Sequence, residues 1–183
     1  MADKARGAVS MTPIITITAD EDTDSVDAIH HDFKSSLGGK LEVDTSSGFT
    51  AVKWWGGEFL IGNTSRDLVG EHTTGTFYGS DATVLDYTEG TPLQTTDQVK
   101  MICVENLGYS DVNKTTTTTA NVYISISAGN AATAADVLCV GANEATVLKF
   151  KPGDAGIDIA NLHAATSSGD VLVKVCALVD DGV

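Results

Sequence analysis

Asp20-Glu21-Asp22-Thr23-Asp24 places carboxylates where positions 1, 3 and 5 of a calcium loop would be. Such a loop also needs Gly at its sixth position for the turn and a bidentate Glu at its twelfth, and this chain has Ser25 and His31 there. An acidic turn that favours the start of a following helix is the simpler reading, and no metal is expected. His30 and His31 are adjacent and would point about 100° apart on a helix, so they cannot chelate one ion. His72 and His163 are isolated, with Asp158 the nearest acidic neighbour of His163. Cys103, Cys139 and Cys176 lack any Cys-x-x-Cys spacing and read as buried thiols inside apolar strands.

Two nucleotide or hydrolase signatures fail on single positions. Gly108-Tyr109-Ser110-Asp111-Val112 lacks the second Gly of a nucleophile elbow, and Gly38-Gly39-Lys40 has Lys34 where a phosphate loop has its first Gly. No nucleophile with its base, metal cluster or phosphate loop remains, so the expectation is a protein that is not an enzyme and carries no cofactor. Trp54-Trp55 is the most unusual local pair. On a strand the two indoles face opposite sides, so one enters the core while the other meets solvent, a loop or a partner.

The elements that would position these groups are strands. The 183 residues contain 23 Thr and 18 Gly against 3 Pro, which suits pleated, half-exposed strands joined by Gly turns. Val122, Ile124 and Ile126 alternate with Tyr123, Ser125 and Ser127. Val171, Val173, Val175, Ala177 and Val179 form one face of a second strand, whose other face is apolar except for Lys174, so it reads as central. Further strands are expected at 99–104, 136–140 and 145–150, a spacing near ten residues that points to an antiparallel β-sandwich or jelly roll. Residues 105–120, ending in Thr115-Thr116-Thr117-Thr118-Thr119, read as a polar loop in place of an exposed strand edge.

The first half is less regular. Strands are expected at 14–18, 49–54 and 58–61, the last two joined by a Gly56-Gly57 hairpin turn. Val26, Ile29, His30, Phe33 and Leu37 recur with helical spacing ahead of Gly38-Gly39, which predicts one short helix. Residues 1–12 carry no pattern, giving a flexible N-terminal arm followed by a single domain over 13–183.

Charge narrows the partners. With 11 Lys+Arg against 25 Asp+Glu the net charge is −14, which argues against a partner held through phosphates, and so against nucleic acid. No apolar run reaches the roughly 18–20 residues of a membrane helix, and no apolar core of a signal peptide follows Lys4 and Arg6, so neither a membrane nor secretion is expected.

Val99 to Val104 leads into Glu105-Asn106-Leu107-Gly108-Tyr109-Ser110 and a Thr-rich connection. After it come Val122 to Ile126, Gly129-Asn130-Ala131-Ala132, Gly141-Ala142-Asn143-Glu144-Ala145 and Asn161 to Gly169 before the last strand. This order, over residues 97–180, resembles small virion structural proteins of tailed bacteriophages. The resemblance implies a capsid decoration, or cement, protein: a viral structural protein made in the host cytoplasm and carried on the capsid surface of the virion. It further implies the major capsid protein and further copies of this chain as partners, the latter in a homotrimer. Tail, neck or fibre proteins of the same virion are the nearest variant, and a carbohydrate-binding sandwich, stacking a sugar on Trp54 or Trp55, Tyr78 and Tyr109, is another class. On the decoration reading Lys4 and Arg6 of the arm, Trp54, Trp55 and Tyr109 are the candidate partner-binding residues.

Overall fold

A computed structural model describes residues 4–11, 37–44, 52–70, 93–127, 131, 137–150 and 156–180, with the backbone alone at 4–11, 37–44 and 52–54. The chain divides into two units, Met1–Ala5 with Val43–Val183, and Arg6–Glu42. The division does not fall after residue 12. Strand β1 (Lys4–Met11) occupies the segment read as a patternless arm, and it forms a two-stranded sheet with β2 (Leu37–Asp44). Leu37-Gly38-Gly39, expected to close a helix, begins β2 instead. The rest of the expected helix and the expected strand at 14–18 lie outside the described residues.

The larger unit is an all-β sandwich, as its composition implied. One sheet has the order β3-β11-β5-β8, formed by β3 (Val52–Ile61), β11 (Val171–Asp180), β5 (Gln98–Asn106) and β8 (Ala145–Lys149), with the short β9 (Ile157–Asp158) also on β5. The other has the order β4-β10-β6-β7, formed by β4 (Arg66–Asp67), β10 (His163–Thr166), β6 (Val122–Ser125) and β7 (Val137–Val140). Every pairing in both sheets is antiparallel. The two sheets share one core, in which Phe59, Ile61, Val104 and Val173 of the first meet Val122, Ile124, Val140 and Ala164 of the second.

Period two decides which side chains enter that core. Val171, Val173, Val175, Ala177 and Val179 all do, and β11 lies between β3 and β5, the central place its apolar faces required. In β6 the alternation stops sooner than expected: Val122 and Ile124 are fully buried, but the strand ends at Ser125 and Ile126 is 49% exposed. Gly56 and Gly57 make no turn. They lie inside an unbroken ten-residue β3, opposite Cys176 and Val175 of β11, because a ladder running from Ile61 to Val52 supplies partners for both. In β5 the register steps from Leu178↔Met101 to Val179↔Val99, leaving Lys100 as a bulged residue. This one-residue bulge is why both Val99 and Ile102 can face the core although their numbers differ by an odd count. Lys100 is itself buried, bonding Gln98 Oε1 at 2.8 Å and lying 3.6 Å from Asp180 Oδ2.

Candidate functional site

Three places gather polar groups: the end of the sandwich around Asn106, the Thr-rich loop beyond it, and a row across the four-stranded sheet. Asn106 ends β5 and is fully buried. Its Nδ2 donates to Ala120 O at 3.0 Å and to Val140 O at 3.1 Å, and its Oδ1 accepts from the Gly108 N–H at 3.0 Å. Its backbone N–H donates to Glu144 O, and its carbonyl accepts from Asn143. One side chain thus ties together the end of β5, the approach to β6 and the end of β7. Gly108 sits at φ +71°, a left-handed conformation, and a Cβ there would lie 2.8 Å from the Asn143 side chain. No other residue fits that turn without displacing Asn143.

Beyond Gly108 the chain forms a loop, as read from sequence, but a fastened one. Asp111 Oδ2 accepts from the Thr116 N–H at 2.6 Å, while Asp111 Oδ1 accepts from Asn113 N–H at 2.9 Å and from the Thr115 hydroxyl at 3.1 Å. Desolvation pushes the Asp111 carboxyl up, but the hydrogen bonds from Thr116 and Thr115 outweigh it and hold its pKa below the ordinary 3.8. Tyr109 bridges to Thr117, which closes the base of the loop. The result presents Val112, 59% exposed, with Thr115, Thr116 and Thr117 exposed beside it. Lys114 at the tip reaches Glu58 of β3, Nζ to Oε1 at 3.0 Å.

The third place went unseen in the sequence. His163 on β10 faces Asp67 on β4 and Ser125 on β6, so a carboxylate, an imidazole and a hydroxyl lie in line across three strands. His163 Nε2 lies 2.8 Å from Asp67 Oδ1. Asp158, the expected neighbour of His163, is instead opposite Gln98 on β9. The order suits an acid–base relay. The hydroxyl is turned elsewhere, however, with Ser125 Oγ donating to Ser127 O at 3.0 Å from a fully buried position. No local signal could have shown this row, because strand register alone assembles it.

Burial raises the Asp67 carboxyl above its ordinary 3.8, with the charge and hydrogen bond of His163 working against that rise. A carboxyl raised in the folded state stabilises the fold most below its unfolded value, and that contribution is lost as pH rises through the folded value. The Asp67→Asn variant should therefore lack a downward step in urea midpoint that the wild type shows as pH rises above the ordinary carboxylate value of 3.8. Parallel curves for the two proteins would refute the assignment.

The candidate partner residues separate clearly. Trp55 is 2% exposed in the core, against Phe59 with ring centroids 5.9 Å apart, so it cannot meet a partner or a sugar; its buried indole fills the space between sheets. Trp54 pairs with Leu178 of β11 along the backbone ladder. Tyr109 is half-buried at the loop base. Lys4 and Arg6 lie on β1, so neither belongs to a free arm. The thiols were misplaced too: Cys139 and Cys176 are exposed and Cys103 is half-buried, since each lies on the face of its strand turned from the core. Among the described residues no group of three or more His, Cys, Asp or Glu could hold a metal ion, and no helix is long and apolar enough to cross a membrane. No family model matches this chain, nor does any curated protein or solved structure.

Proposed function

We propose that this chain is a non-enzymatic structural protein of a tailed-phage virion, a decoration protein that binds the outer surface of the capsid as a homotrimer. The observation that carries the reading is the Asn106 junction. The segments whose order resembles the phage proteins fall on consecutive parts of one sandwich, and Asn106 bonds three of them: its own Asn-x-Gly turn, the approach to β6 and the turn at Gly141–Glu144. The Asn161–Gly169 segment joins them through β10 on β6 and through the Ser167 N–H to Asn121 O. A rigid end of this kind holds its loop in one shape before any partner arrives, which lowers the ordering cost of docking. Many weak contacts on a repeating shell then add by avidity.

The test is co-sedimentation of the purified chain with heads assembled from the major coat protein of the same genome, alongside light scattering of the free protein. Saturable pelleting with heads, and a free mass three times the 19.0 kDa of one chain, are expected. Pelleting with isolated tails but not heads would replace the capsid assignment by a tail or neck one. Pelleting with neither would overturn the reading.

A further inference from the structure

Cys103 and Cys176 are 73 residues apart in sequence and directly opposite each other on β5 and β11. Facing residues of an antiparallel pair point to the same side of the sheet, here the side turned from the core. The ladder also fixes their spacing. Just past its Val173↔Asn106 end, the Leu107 N–H donates to Leu172 O at 3.0 Å, which marks that position as a hydrogen-bonded one. Hydrogen-bonded and non-hydrogen-bonded pairs alternate, and Cys103↔Cys176 lies four positions along the same uninterrupted stretch. It is therefore a hydrogen-bonded pair, with Cα atoms about 5.5 Å apart, inside the range of roughly 4.4–6.8 Å that a disulfide spans.

We propose that Cys103 and Cys176 form a reversible dithiol–disulfide site on the outer face of the five-stranded sheet, oxidised by a small-molecule disulfide such as oxidised glutathione. The neighbours leave room for it. On the β3 side Cys176 faces Gly56, which has no side chain, and on the β8 side Cys103 faces Val147. Cys176 is exposed and reacts first. Its thiolate attacks one glutathione sulfur, expels a glutathione thiolate and leaves a mixed disulfide on Cys176. The Cys103 thiolate then attacks the Cys176 sulfur and expels the second glutathione. One disulfide has been reduced and one formed, and the two cysteine protons end on the two released glutathione thiols.

The same geometry makes the bond easy to undo. Facing Cβ atoms stand about 4.5–5.5 Å apart, whereas a relaxed disulfide holds them near 3.8 Å, so closure pulls the strands together and the strained bond is readily reduced. Burial is the main cause that raises the pKa of both thiols; Glu105 adds to it for Cys103, Cys103 adds to it for Cys176, and Lys174 opposes it in each. Both are consequently thiols near neutral pH and stay reduced until an oxidant is supplied. Cys139 lies on β7 of the other sheet, opposite Tyr123, and takes no part.

The experiment uses the full chain carrying Cys139→Ser, incubated with oxidised glutathione, then alkylated in denaturant and analysed by intact mass and peptide mapping. Loss of both thiols, a mass lower by two hydrogens, a Cys103–Cys176 peptide and full recovery with dithiothreitol are expected. With Cys103→Ser added, Cys176 should instead keep one glutathione. A folded protein that retains glutathione on both cysteines, or keeps two free thiols where a denatured sample is oxidised, would overturn the proposal.

Discussion

Asn106→Ala should lower the stability of the sandwich by about 3–5 kcal/mol, near the top of the range for a single substitution. The side chain makes three hydrogen bonds from a fully buried position, and its removal strands Ala120 O, Val140 O and the Gly108 N–H away from water. For a chain of this length that corresponds to a fall in Tm of roughly 10 °C. Asn106→Asp is the sharper probe, because it keeps the shape and the acceptor for Gly108 while turning a carboxylate toward two carbonyl oxygens. Its stability should be at least as low near neutral pH and should recover as pH falls and the carboxyl takes up a proton, since the folded state favours the neutral form. An Asn106→Ala protein within 1 kcal/mol of wild type would show that water reaches the junction.

Trp55→Ala should cost about 3–5 kcal/mol, the usual penalty for emptying a core aromatic site. Trp55→Phe should cost far less than its loss of volume suggests. Trp55 Nε1 is buried and has no hydrogen-bond partner among the described residues, so phenylalanine removes an unpaired donor along with part of the ring. Urea unfolding of the two variants decides the matter: equal losses would mean that the indole N–H is engaged and that its bond, not ring volume, holds Trp55 in place.

Those two residues also show how far sequence reading could go. The sequence put one of the two indoles in the core without saying which; Trp55 enters it with Phe59 and Ile61 because β3 runs unbroken through Gly56-Gly57, whereas the inward face of β11 followed from period two. The all-β class followed from Thr, Gly and the regular spacing of apolar segments. Alternation is local, however, and gives no register between distant strands. The Asp67–His163–Ser125 row and the Cys103–Cys176 pair both arise from register, which is why His163 was matched with Asp158 and the pairing of the two thiols was missed. Gly56-Gly57 failed for a related reason. A Gly pair marks a turn only if its strands pair with each other, and here both flanks pair with β11. Asn106 looked like an ordinary turn residue, and nothing in its neighbours announced that its amide would bridge to residues 14 and 34 positions away.

β11, which lies between β3 and β5, is the last strand in chain order among the described residues. While the nascent chain is still leaving the ribosome, β3 and β5 therefore each have a raw edge where β11 will later sit, and neither can bond the other across the gap. The sheet closes only when residues 171–180 emerge, so a ribosome stalled before them holds a chain that is open to strand capture by its neighbours on the same message. In this fold, β3 and β5 become parts of one sheet only through residues 171–180.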